Sequence, residues 1–240
     1  MKNIYTMKMT TLITLLFLTF YCSAQDFLDG NFTFSSSKIS YITLADGSEV
    51  TGYIDDIDRK KGLIEKITIK DSLGKKMEFQ PQDIHHMYIA PSKWDKFSKG
   101  MDKMNDFTEW DKNKQVNLAH IKEGYALFEY SEVMIKNEKK SLLLQLINPG
   151  YCNKIKVFFD PQAKESASVG IGGFSVAGGQ PKSYYVKVGN EVAYKLEKKH
   201  YEDKFESLFG NCEAINKAYP EEIDWDFFSK HVYIHATKCD

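Results

Sequence analysis

Arginine is almost missing from this chain. Arg59 stands alone among 32 basic residues, so sites that grip phosphate or carboxylate with a guanidinium fork are largely excluded. Lysine does not make up the difference. Lys+Arg 32 against Asp+Glu 33 leaves a net charge of −1, which argues against a broad electrostatic grip on nucleic acid. Cysteine is scarce, with 4 in the chain. No Cys-x-x-Cys occurs, which removes thioredoxin-type redox chemistry and zinc ribbons. No His-Glu-x-x-His is present, and the one glycine-rich stretch lacks the Gly-Lys-Ser/Thr ending of a phosphate loop. What is present is 42% hydrophobic, 27% charged and 14% aromatic, the composition of a folded globular protein.

The start of the chain reads as an export signal spanning residues 1–24. Lys2 and Lys8 give it a positive beginning, and no acid occurs before Asp26. Met9–Tyr21 is an apolar run of 13 residues, short of the about 20 that a helix needs to span a bilayer. Cys22-Ser23-Ala24 offers the small residues a signal peptidase requires, which makes Gln25 the expected first mature residue. Two alternatives stay open: an uncleaved anchor, and a lipid on Cys22. No later segment is apolar enough to span a membrane. The expected location is therefore outside the cytoplasm: periplasmic, extracellular or outer-membrane associated.

Export puts the remaining thiols where disulfides persist. Cys152, Cys212 and Cys239 remain. Cys212 and Cys239 share the helix-rich C-terminal stretch and are the expected pair, with Cys152 left over. A Cys152–Cys212 bond is the rival.

The expected fold class is α+β: a small SH3-like β-barrel, then a β-sheet unit finished by C-terminal helices. Residues 25–90 form the barrel domain. Its strands are Ile39–Leu44, Glu49–Ile54, Leu63–Lys70, Lys76–Gln80 and Ile84–Ile89, with an Asp46-Gly47 turn between the first two. Residues 91–115 are a linker helix in which Trp94, Phe97, Met101 and Met104 recur at helical spacing. Residues 116–240 are the α+β C-terminal domain. Its strands are expected at Tyr125–Ile135, Ser141–Ile147, Lys154–Phe159, Ser183–Val188 and Glu191–Leu196. Helices are expected at His200–Leu208, Glu213–Ala218 and Asp224–His235.

Two resemblances accompany this reading. Leu44-Ala45-Asp46-Gly47-Ser48-Glu49-Val50-Thr51-Gly52 is similar to the opening of Sm-like and related small barrels. No second RNA-binding motif follows it, so the resemblance implies the fold of residues 38–90 and no function. Leu118 to Phe128, Ser183 to Lys187 and Phe205 to Cys212 together resemble a type of uncharacterised secreted protein from Bacteroidetes. That implies bacterial export and no particular activity.

Three constellations bear on chemistry. His231 and His235 lie four apart on the last expected helix, on one face, with Glu221, Glu222, Asp224 and Asp226 upstream. They are the candidate metal ligands. The stretch Gly170 to Gly179 is expected to be a loop, and Ile171, Phe174 and Val176 are its candidate contact residues. Within it, Gly173-Phe174-Ser175-Val176-Ala177 falls one residue short of the Gly-x-Ser-x-Gly elbow of hydrolases. The aromatics recur at strand and helix periods, so most are expected in the core.

No catalytic residue and no cofactor stand out. The expected function is an exported, non-catalytic cell-envelope protein whose partner is an envelope protein or a surface glycan. The alternative is an extracytoplasmic hydrolase using Ser175 or a His231/His235 metal. N-terminal sequencing of the protein recovered from the envelope should read Gln25 first. A chain that keeps Met1 and is found free in the cytosol with its thiols reduced would overturn the export reading.

Overall fold

The computed structural model describes residues 27–93, 116–164, 180–219 and 223–239 in full, and the backbone of 169–171 and 174–177. The export signal, residues 94–115 of the linker helix, and Glu221 and Glu222 lie outside the described residues.

The architecture is mixed α+β, with a 10-stranded sheet and C-terminal helices. The first five strands are β1 (Ile39–Leu44), β2 (Glu49–Lys60), β3 (Leu63–Lys70), β4 (Lys76–Phe79) and β5 (Ile84–Ile89). Asp46-Gly47 does turn the chain between β1 and β2. Gly47 has φ 84, a conformation that costs glycine little. Asp46 Oδ1 accepts bonds from the Ser48 amide (2.9 Å) and hydroxyl (2.6 Å).

These five strands do not close on themselves. The pairing path runs β3–β2–β1–β5 and continues into β6 (Ala126–Ile135). β6 pairs along its length with β7 (Glu138–Gln145), and Ile64 of β3 lies opposite Leu143 of β7. Six strands therefore form an antiparallel ring, and two of them follow residue 116. The expected five-strand closure fails because the second edge of β3 is divided. β7 meets it at Ile64, and β4 takes Ile67–Lys70. β4 thus lies outside the ring.

Every ring strand contributes to one core. Ile42, Ile54, Ile64, Ile67, Ile69, Ile84, Met87, Ile89, Phe128 and Leu143 are all buried together. The alternation that places them inside puts Tyr88, Leu127, Leu142 and Leu144 on the outer side, in a second core.

That outer side is covered by three more strands: β8 (Ile155–Phe159), β11 (Ser183–Val188) and β12 (Ala193–Glu197). β12 joins the sheet by parallel pairing to β6, with Ala193 opposite Val133 and Tyr194 opposite Met134. β8 and β11 are buried on both faces, which explains their nearly unbroken apolar sequence. Phe158, Tyr185 and Ala193 pack toward the ring. Val157, Tyr184, Val186 and Leu196 pack into a third core against the helices.

Four helices are described: α1 (Leu118–Lys122), α2 (Tyr201–Phe209), α3 (Glu213–Ala218) and α4 (Phe228–Lys238). α1 was not expected from the sequence; five residues are too few to show a helical period. Tyr201, Leu208, Phe209, Ile215, Trp225, Phe228 and Val232 bring the helical faces into the third core. Cys212 and Cys239 form a disulfide with Cα atoms 5.6 Å apart. Cys152 is buried and outside it, its Sγ donating to the Pro149 carbonyl (3.5 Å).

The first described residues run as a strap across all three cores. Phe27 packs edge-on to Tyr184 and Phe228, Leu28 touches the second and third cores, and Phe34 packs on Phe128. The Leu28 amide donates to Ile147 O (2.8 Å) and the Ser35 amide to Ala90 O (2.8 Å). The sole arginine holds the middle, donating from Nη1 to Phe32 O at 2.6 Å. Gly30 is required here, because a Cβ would fall 2.1 Å from the Phe159 ring. A cavity of about 40 Å³ lies beneath the strap, lined by Phe32, Arg59, Leu143 and Phe159 among others. It is water-sized and too small for a sugar or peptide.

Asn148 knits the turn before β8. Fully buried, it donates to Ile155 O (2.8 Å) and Tyr151 O (3.3 Å) and accepts from the Val157 amide (2.8 Å). Asn148→Ala should strand these groups and lower unfolding stability by about 2–4 kcal/mol in urea denaturation. A change near zero would show that the turn holds without it.

Candidate ligand-binding surface

Three of the chain's histidines gather with three tyrosines on the outer face of β1 and β5. Strand register builds the patch. Tyr41 lies opposite Tyr88 and Thr43 opposite His86; His86 in turn lies opposite Glu129. α1 then delivers His120. Its N-cap Asn117 accepts from the Ala119 amide (3.1 Å), and the Asn117 amide donates to the Tyr88 hydroxyl (2.7 Å). Ile121 anchors the helix in the second core. Gly124 turns the chain out with φ 83, and the Tyr125 amide closes the turn on His120 O (2.9 Å).

Tyr41 stacks on His120, with ring centroids 4.2 Å apart and planes 20° apart. Tyr88 and Tyr125 approach the same imidazole at 5.0 and 5.6 Å. Tyr41, His120 and Tyr125 are only half-buried, so the stack reaches solvent. Burial and the neighbouring Tyr41 raise the Tyr125 hydroxyl pKa. Burial also raises that of Tyr88. Both therefore stay protonated and able to donate.

The second half of the patch is an imidazole pair. His85 Nδ1 and His86 Nδ1 are 2.8 Å apart, and His86 Nε2 lies 3.2 Å from Thr43 Oγ1. Burial, reinforced by His85, lowers the His86 pKa. A neutral imidazole donates with one nitrogen and accepts with the other, which suits this chain of contacts. The Glu129–Lys156 ion pair borders it. The patch thus combines flat apolar faces with hydrogen-bond donors and acceptors.

The residues singled out by sequence lie elsewhere. His231 is fully buried, and its Nδ1 meets the Tyr201 hydroxyl at 2.6 Å. Phe205, Phe209, Tyr219 and Phe227 surround the ring. Nε2 has no hydrogen-bond partner among the described residues. Desolvation pushes the His231 pKa down to about 4, against a small opposing pull from Asp224. His235 is half-buried beside Phe209, its pKa lowered by burial and then by Lys154.

Ser175 is not on a strand-to-helix turn. It lies in β10 (Phe174–Ala177), opposite Gly170 in β9 (Val169–Ile171). The expected loop is therefore a two-stranded hairpin, and the geometry of a hydrolase elbow is not present there. The backbones of Ile171, Phe174 and Val176 belong to that hairpin; their side chains lie outside the described residues. No helix among the described residues is long and apolar enough to cross a membrane. No protein-family model, no curated protein and no solved structure matches this chain.

The neutral state of His231 makes stability depend on pH with a definite sign. The folded chain resists protonation until about pH 4, whereas the unfolded chain takes up the proton near 6.5. Stability from this group is present above pH 6.5 and is lost as pH falls toward 4. Its share of the loss between pH 7 and 4.5 is about 2.5 kcal/mol. The urea-unfolding difference between those pH values should shrink by most of that amount in His231→Gln. An unchanged difference would mean that His231 titrates normally.

Proposed function

We propose that this chain is an exported, non-catalytic protein of the bacterial cell envelope that binds a glycan on the Tyr41–His120–Tyr125 surface. The observation that carries the proposal is the half-exposed stack of Tyr41 on His120 with Tyr125 beside it. Such a stack offers apolar faces to the C–H side of a sugar ring. Neighbouring imidazoles and hydroxyls meet its hydroxyl groups. The small charge imbalance and the near absence of arginine fit a neutral ligand better than a phosphate or nucleic acid.

The export part rests on residues 1–24 and on a disulfide, a bond that oxidising compartments favour. The resemblance to secreted Bacteroidetes proteins points the same way. The antiparallel ring supports a small-barrel reading of the first half, related to the SH3-like expectation but completed by β6 and β7. In that reading the barrel is the rigid frame, and α1 lays the binding residues against its outer wall.

Isothermal titration of the mature chain with soluble envelope glycans, including peptidoglycan fragments and capsular polysaccharide, tests the proposal. A glycan should bind, and Tyr41→Ala and Tyr125→Ala should each weaken it about tenfold or more while the fold stays intact by circular dichroism. Tyr41→Phe should retain most of the affinity. Binding to no glycan, or binding indifferent to both alanine variants, would dismiss the proposal.

A further inference from the structure

His235 and His231 share a helix face and yet have different neighbours. His231 faces Tyr201, whereas His235 faces the disulfide. Cys212 is the N-cap of α3, Cys239 is the C-cap of α4, and His235 lies one turn before Cys239. One ligand atom from each of Cys212, His235 and Cys239 falls within 4.8 Å of the others. Among the described residues, this is the group of side chains that meets a metal-ligand spacing. His235 Nδ1 is enclosed and has no hydrogen-bond partner.

Zinc-class cations take sulfur at about 2.3 Å and imidazole nitrogen at about 2.0 Å in a tetrahedron, so their ligand atoms sit roughly 3.5–3.8 Å apart. From a separation within 4.8 Å, the imidazole needs to close by at most about an ångström to meet that spacing. The two sulfurs, bonded to each other, need to part. While the bond stands, neither sulfur carries the negative charge that a cation requires.

The frame does not depend on that bond alone. Lys154 Nζ donates to Cys239 O, and Asn153 Nδ2 donates to Ala236 O (3.2 Å). Both hold the end of α4 to the turn before β8. Phe209 packs edge-on to the His235 ring at 5.6 Å, and Val232 and Ile215 bury α4 and α3 in the third core.

We propose that the Cys212–Cys239 disulfide is a redox gate over a zinc-class metal site formed by Cys212, His235 and Cys239. A dithiol reductant gives two electrons and two protons to the disulfide, leaving two protein thiols and its own disulfide. A divalent zinc-class ion then displaces the two thiol protons into water. It is held by two thiolates and one neutral imidazole, with a water in the fourth position. The two thiolate charges balance the ion. A disulfide oxidant reverses the sequence: it withdraws two electrons, re-forms the sulfur–sulfur bond and expels the ion.

Cobalt(II) is the probe, because tetrahedral thiolate ligation gives it a thiolate-to-metal charge-transfer band. Mature protein reduced with a phosphine and desalted without oxygen should stay folded by circular dichroism and bind one equivalent of cobalt(II). Oxidised protein should bind none. His235→Ala keeps both cysteines, so its oxidised form reports folding. After reduction its affinity should fall at least tenfold, and Cys239→Ser should lose most of the charge-transfer band. Three outcomes overturn the proposal: reduced protein that binds no cobalt, reduced protein that unfolds, or cobalt binding unaffected by His235→Ala.

Discussion

Strand β6 is the constraint on which the rest of the structure depends. In its 10 residues it must satisfy three neighbours. One edge pairs continuously with β7. The other goes first to β5 and then, in parallel, to β12. Its two faces serve different cores, with Phe128 inside the ring and Leu127 and Val133 outside it. A one-residue slip would exchange these faces, expelling Phe128 from the ring and turning Glu129 into it. The interior of the ring, the layer outside it and the position of β12 are therefore set together.

Much of the local structure was legible because period and turn chemistry are local. Ile39–Leu44, Leu63–Lys70, Ile84–Ile89 and Ser183–Val188 occupy the expected residues. Alternation and flanking turns specify such strands without tertiary help. β2 runs past its expected end at Ile54 and reaches Lys60, through a stretch whose three aspartates break the apolar alternation. In the sheet, Asp55 pairs with Lys70 and Lys76, and Asp58 with Lys66. The partners of each strand were not legible. That Ile64 meets Leu143 depends on the division of the β3 edge, and no window of sequence contains it.

The candidate surface shows the same division. Tyr41, Tyr88 and His120 are unremarkable where they stand in the sequence; register and a five-residue helix bring them together. The signal available in the sequence was modest: Asn117 as a cap and Gly124 as a stop frame a helix too short to show its period. The helical spacing of His231 and His235 did place both on α4. Spacing does not report surroundings, however, and an aromatic box took one imidazole while the disulfide took the other. The Cys212–Cys239 pairing was readable because both cysteines lie close together in one helix-rich segment.

The strap sets an order of events for the proposed export. Phe27 is already wedged among Tyr184 and Phe228, so a cut after Ala24 would leave only Gln25 and Asp26 between the scissile bond and the folded body. So short a tether would leave the scissile bond pressed against the folded surface. Under the proposed export, leader removal would therefore come before Phe27 docks, and the strap would be the last seam of the fold to close.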